Sequence, residues 1–231
     1  MEKTTRKVVT RSPARTVVMM NFPGLLDHAV EAESSFEKDF IYKAVLCHGL
    51  TDLRHQPFKI RLRSGNHYTP DFLAVVNGKH CVIEVKLRSK ISKYEAIFDE
   101  ASHQLQARGM HFYVVHQGAL RRGNSHIRAT RILRYGKAVF PEVECRRVVE
   151  CMASSPLGIP IGVLKKRAGA SMEVILHLLA RRAIAIEPEL HLDDEAMVFS
   201  RNPLETSNED QFGRWFGVAS WDSDAGVGAS A

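Results

Sequence analysis

The sequence predicts an α/β fold followed by a small second domain, and three observations carry that prediction. Apolar residues recur at helical spacing in two separate stretches, and β-patterned runs flank an Asn77-Gly78 pair between them. After Pro141 the texture changes to short helical segments that end in a hairpin. With 231 residues, 45% of them hydrophobic, the chain can bury one good core and a second small one.

Taken in order, residues 1 to about 20 read as a basic arm, with Lys3, Arg6, Lys7, Arg11 and Arg15 against Glu2, ordered only on a partner. From Asp27 to His48 the pattern is helical: Phe36, Phe40 and Ala44 recur every four residues beside Ile41 and Val45, and Gly49 supplies the stop. A short strand is expected from Phe58 to Leu62. Two more, Asp71 to Val76 and His80 to Lys86, are joined at Asn77-Gly78. A second helix runs from about Ser92 to Arg108 and ends at Gly109. Met110 to His116 reads as a buried strand, residues 119–126 as a loop, and Arg128 to Tyr135 as a weaker element closing a first domain of residues 21–138.

Residues 139–200 form the second domain. Glu142 to Met152, Ile161 to Ala168 and Ser171 to Arg182 read as helices, and Ala183 to Glu187 with Ala196 to Phe199 as a hairpin, which is winged-helix order. Residues 201–231 are polar and acidic, rich in Gly, Ser and Asp, and are expected to be disordered.

The formal net charge of +6 suits a polyanionic partner, nucleic acid above all. No apolar run approaches the ~20 residues of a membrane span, so no membrane partner is expected, and the N-terminus lacks a signal-peptide core, which reads as cytoplasmic. Cys47, Cys81, Cys145 and Cys151 show no paired spacing and read as reduced. The eleven histidines show no metal-ligand spacing.

The chemistry is concentrated at the Asn77-Gly78 turn. With these two residues as a type I′ loop, Val76 faces Lys79, and counting outward places Val75 opposite His80, Ala74 opposite Cys81, Leu73 opposite Val82, Phe72 opposite Ile83, and Asp71 opposite Glu84. Opposed β-carbons lie ~4.5–5.5 Å apart, and two carboxylates there repel unless something neutralises them. A hard divalent cation such as Mg²⁺, with Mn²⁺ as a substitute, does so. Lys86 lies two residues past Glu84 and emerges on the same face, where an ammonium can position or help deprotonate a water, or stabilise charge on a phosphate. Glu84 also interrupts an otherwise apolar run, Cys81 to Val85, where an unpaired carboxylate is costly.

Thr69-Pro70-Asp71-Phe72 followed by Ile83-Glu84-Val85-Lys86 resembles the signature of the PD-(D/E)xK nuclease superfamily. The upstream stretch Glu33-Ser34-Ser35-Phe36-Glu37-Lys38-Asp39, with His55-Gln56-Pro57-Phe58, resembles TnsA-like transposase endonucleases over roughly residues 10 to 115. The resemblance implies a restriction-endonuclease-like core with a mixed central sheet, helices on both sides. It also implies DNA cleavage at the 5′ ends of a transposon, alongside a DDE-type transposase and an AAA+ regulator. Glu37 would complete the site from the first helix, with Glu33 the alternative one turn earlier. Metal would then be held by Glu37, Asp71, Glu84 and the Val85 carbonyl.

Other candidates are open two ways. Gln56 either orients the ligands or bonds within its loop, and His67 and Tyr68 either touch DNA or are ordinary loop residues. Lys165, Lys166 and Arg167 either bind phosphates or form a solvated face. Phe212, Trp215, Phe216 and Trp221 either anchor the tail in a partner, which residues 202–231 would then offer to the AAA+ regulator, or dock on the chain itself. Competing functions are a stand-alone restriction- or resolvase-like nuclease and a non-catalytic DNA-binding or assembly adaptor.

Overall fold

Asn77 and Gly78 stand at φ 49° and 76°, the left-handed pair a two-residue type I′ turn requires. The register that follows is the one counted from the sequence as far as Phe72: Val76–Lys79, Val75–His80, Ala74–Cys81, Leu73–Val82 and Phe72–Ile83, the pairing stopping just before Asp71 and Glu84. This hairpin is the spine of the computed structural model, which describes residues 17–200 and 210–221. Two units divide the chain. One takes the residues up to Ile41, then Gly49–Leu120 and those from Phe212 on; the other takes Tyr42–His48 and Arg121–Gln211.

The first unit opens with an antiparallel pair, β1 (Val18–Met20) and β2 (Val30–Ala32), and leads into α1 (Ser35–Ala44). Then come β3 (Leu50–His55), the small hairpin of β4 (Ile60–Arg61) and β5 (His67–Tyr68), the central hairpin of β6 (Phe72–Val76) and β7 (Lys79–Lys86), α2 (Ile91–Gln106), β8 (His111–His116) and the short α3 (Gln117–Leu120). The sheet order is β3-β6-β7-β8, antiparallel except for the β7–β8 pair, and therefore mixed. A parallel pair needs a crossover, which α2 supplies.

Two-residue periodicity sorts the faces. Leu73, Val82, Phe112 and Val114 pack with Phe98, Ala101 and Leu105 of α2. On the opposite face Phe72 meets Phe40 of α1 at 4.9 Å between ring centroids. Glu84 and Lys86 continue the Val82 row and so stand on the α2 side.

The second unit places α4 (Ser125–Arg134) ahead of α5 (Glu142–Ala153), β9 (Ile159–Pro160), α6 (Ile161–Ala168), α7 (Met172–Ala180), β10 (Ala185–Ile186) and β11 (Met197–Phe199). Its three strands pair in the order β10-β11-β9, all antiparallel. Helix α7 is almost wholly buried, from Val174 through Ile175, Leu176, Leu178 and Leu179 to Ala180. The last described element is α8 (Gln211–Phe216).

Several expectations are corrected. The first helix begins at Ser35, because Ser34 caps it and the preceding Val30–Ala32 pairs as a strand. Leu50–His55 is a strand whose alternation the sequence hides, since the register shifts between Leu50 and Asp52. The loop expected at 119–126 is largely helical, with Gly123 and Asn124 at positive φ marking the break before α4.

The largest correction concerns the tail. Phe212, Trp215 and Phe216 are each 2% exposed or less: Phe216 stacks on Phe40 at 5.0 Å and Phe212 lies 4.8 Å from Tyr113. Trp221 packs edge-on to Phe98 at 5.5 Å, its Nε1 donates to Asp99 (2.8 Å), and its backbone N–H donates to the Phe112 carbonyl (2.7 Å). Phe212, Trp215 and Phe216 are core and Trp221 is half-buried against it, so these aromatics are not the exposed partner-docking motif that residues 202–231 were expected to offer the AAA+ regulator. Residues 201–209 and 222–231, and most of the basic arm, lie outside the described residues. No described helix is long and apolar enough to cross a membrane.

Candidate active site

Asp71 precedes the first residue of β6, and its backbone carbonyl accepts the Gln56 N–H (2.8 Å). Its side chain turns to β7, where Oδ2 accepts the Val85 N–H at 2.7 Å. Glu84 is 2% exposed and both of its oxygens are engaged. Oε2 accepts the Tyr68 hydroxyl (2.7 Å) and Oε1 the Lys86 ammonium. Lys86 also lies 4.7 Å from the centre of the Tyr94 ring, a cation–π contact that fixes its direction. Asp71, Glu84 and Lys86 are thus brought together.

Burial first, and then the Glu84 charge, hold the Asp71 carboxyl well above the usual range. The Val85 N–H and Lys86 offset this in part. Burial pulls Lys86 down, but Glu84 and Asp71 outweigh it and hold the ammonium above its ordinary value. Burial and the facing Glu84 push the Tyr68 phenol well up, so it is a committed donor.

Glu37 is held differently. Its Oε2 accepts the Glu33 N–H (2.8 Å), its Oε1 accepts the Ser34 hydroxyl (2.9 Å), and its own N–H donates to Ser34 Oγ (3.2 Å). This is a variant of the capping box: Ser34 Oγ accepts the third-position N–H, while the Glu37 carboxylate reaches back to the Ser34 hydroxyl and the Glu33 N–H. His55 Nε2 lies 3.7 Å from Glu37 Oε2. Burial, then Glu33 and Glu84, raise the Glu37 carboxyl, so it feels the same negative field without touching Asp71 or Glu84. The alternative, Glu33, accepts the Gln56 side-chain amide at 3.0 Å.

Gln56 links both sides, and it does so at φ 42°, a left-handed conformation costly for a non-glycine residue, here directly before Pro57. Tyr68 was placed by sequence only as a loop residue or DNA contact, whereas it serves Glu84. Tyr94 was missed: a helical tyrosine eight residues past Lys86 carries no signal until α2 folds back.

Among the described residues, no three His, Cys, Asp or Glu side chains are gathered closely enough to hold a metal. The donor chemistry nevertheless fits a hard cation at Asp71 and Glu84. Both offer carboxylate oxygens, and the Glu84 charge raises the demand for positive charge at Asp71. Mg²⁺ commonly takes one or two carboxylates and leaves its other positions to water and phosphate, so a two-carboxylate site suffices.

A mixed sheet with paired acids and a lysine on its second hairpin strand is consistent with a restriction-endonuclease-like nuclease core. Residues 48–117 match the family model described as TnsA-like endonuclease N terminal. The chain therefore carries a TnsA-like endonuclease stretch, just under a third of its length, which includes Asp71, Glu84 and Lys86 and stops short of Glu37. No curated protein matches the chain.

Proposed function

We propose that the chain is a Mg²⁺-dependent DNA endonuclease, the nuclease subunit of a heteromeric transposase that cuts the 5′ ends of its element. It would work with a DDE-type transposase and an AAA+ regulator. The observation that carries this reading is the placing of Asp71, Glu84 and Lys86 on one hairpin inside the TnsA-like stretch.

Asp71 and Glu84 would hold the cation with the Val85 carbonyl, and Glu37 would join through water or after leaving its cap. When bound, Mg²⁺ supplies charge to the scissile phosphate and acidity to a water. Lys86, an ammonium beside Glu84, orients that water or stabilises the phosphoryl oxygens. Tyr68 fixes which Glu84 oxygen faces the site. Gln56 ties the Asp71 backbone to Glu33, so the acids keep their spacing.

The helix–strand–helix–helix–strand–strand order of residues 142–199 supports a winged helix. Its third helix, α7, has no Lys or Arg between Met172 and Ala180 and little exposed surface. This argues against groove reading by that helix.

The test is cleavage of element-end duplex by the chain with its cognate transposase and ATPase in Mg²⁺ or Mn²⁺. Cuts at 5′ ends that vanish with Asp71→Ala support the reading; equal cutting by both proteins removes it. Efficient, sequence-specific cutting by the chain alone points instead to a stand-alone nuclease.

A further inference from the structure

The β4–β5 hairpin has two unlike faces. Ile60 is fully buried and Leu62 nearly so, and Phe58, Ile60 and Tyr68 pack into the core around Phe98. Between them Lys59, Arg61 and Arg63 alternate outward, all exposed, and His67, also exposed, pairs with Arg61 across the hairpin. From Pro57 to Pro70 there is no Asp or Glu.

These cations are unspent. None of the three makes an ion pair among the described residues. The acid nearest them along α2, Glu100, gives its Oε1 to the Arg63 backbone N–H (2.6 Å) and the Gln104 amide (3.3 Å). Gln104 in turn donates to the Arg61 carbonyl at 2.9 Å. Helix α2 therefore grips the hairpin by its backbone and leaves the guanidinium groups to solvent. They line a groove of about 500 Å³ together with Glu100, His103 and Gln104.

The same hairpin reaches the candidate active site, since Tyr68 donates to Glu84. On the other side of Glu84 the chain runs on through Arg88, Lys90 and Lys93, all exposed, with no acid from Val85 to Tyr94. A backbone-anchored row of free cations, joined by one hydrogen bond to a phosphodiester-cutting centre, fits a polyphosphate backbone. It fits an acidic peptide poorly, because the row alternates with buried apolar residues and offers no exposed apolar anchor.

We infer that the β4–β5 hairpin is a phosphate rail: Lys59, Arg61 and Arg63 take up backbone phosphates of duplex DNA and set the strand against Asp71 and Glu84. The inference rests on the nuclease reading for its occupant. Such contacts fix position and carry no base sequence.

The experiment is anisotropy of a labelled duplex with the full chain, without Mg²⁺, across a salt series. Each neutralised phosphate contributes about 0.9 to the slope of log K against log salt, so K59A/R61A/R63A should flatten it by about three. R61K/R63K should keep the parent slope. Lys79→Ala, at the Asn77-Gly78 end of the central hairpin, should leave it unchanged. Thermal unfolding of all four proteins should coincide, because every substituted side chain is exposed.

An unchanged slope in the triple variant overturns the rail, as does an equal loss with Lys79→Ala or a parent that does not bind duplex. Cutting by the parent with an unshifted slope removes the rail and leaves the hydrolase standing. A shifted slope in a protein that never cuts does the reverse.

Discussion

Asp71 Oδ2 accepts the Val85 N–H at 2.7 Å, two residues beyond Ile83, the last β7 residue paired with β6. A carboxylate has taken over a bond that the strand backbone would otherwise make, and this holds it beside Glu84. Asp71→Ala leaves that N–H without its acceptor and should cost about 1–3 kcal/mol. Asp71→Asn keeps a carbonyl oxygen there and should unfold in urea close to the parent, yet cut no DNA. Parallel losses of stability in the two variants would contradict this division.

Tyr68 is the Glu84 partner that can be removed most gently. Tyr68→Phe keeps the packing against Phe98 and deletes only the hydroxyl. Supporting partners of metal ligands typically contribute about 10–100-fold, so cleavage should fall by that range and recover partly at higher Mn²⁺. Unchanged kinetics at limiting metal would show Glu84 to be indifferent to its partner.

Ser34 and Glu37 separate capping from chemistry. Ser34→Ala should lower stability by about 1 kcal/mol, and cleavage should fall little, since Glu37 keeps its bond from the Glu33 N–H. Glu37→Gln can still cap, so a large loss of cleavage at parent-like stability would assign Glu37 to the metal. Full activity of Glu37→Gln would confine it to the cap.

Trp215 is 1% exposed and belongs to the aromatic group that α8 adds to the first unit. Trp215→Ala should destabilise the whole chain by about 3–5 kcal/mol in denaturant. Were the segment only a partner-docking motif, stability would not change.

Lys43, 4% exposed, is pulled down to about 8, chiefly by burial. The unfolded chain keeps this proton up to about 10.4, so between pH 8 and 10 unfolding takes up a proton and stability rises with pH. Lys43→Met should therefore be more stable than the parent at pH 7, by up to ~3 kcal/mol, and lose most of that advantage by pH 10. Denaturation midpoints at the two pH values measure it.

The central hairpin was legible because one dipeptide fixes its geometry: Asn77 and Gly78 accept left-handed φ, and the register then follows by counting. Strand β3 was not, since a register shift breaks its alternation, and β9 is only two residues long. At the candidate site, the grouping of Asp71 with Glu84 was readable by counting outward from the turn, and that of Lys86 with Glu84 from two-residue periodicity. Tyr68 and Tyr94 were not, because their contacts cross 16 and 8 residues of chain and depend on how β5 and α2 pack. The tail misled for a related reason: its aromatics sit in a polar stretch, and only the tertiary fold shows Phe40 and Tyr113 waiting for them.

The most direct test is metal-dependent hydrolysis by parent, Asp71→Asn and Glu84→Gln at matched stability, on one duplex with Mg²⁺, Mn²⁺ or chelator. A shared cation between the two carboxylates predicts cutting by the parent only, abolished by chelator, with each variant down by at least about 100-fold. Cutting that persists in chelator, or in either variant at the parent rate, would contradict it.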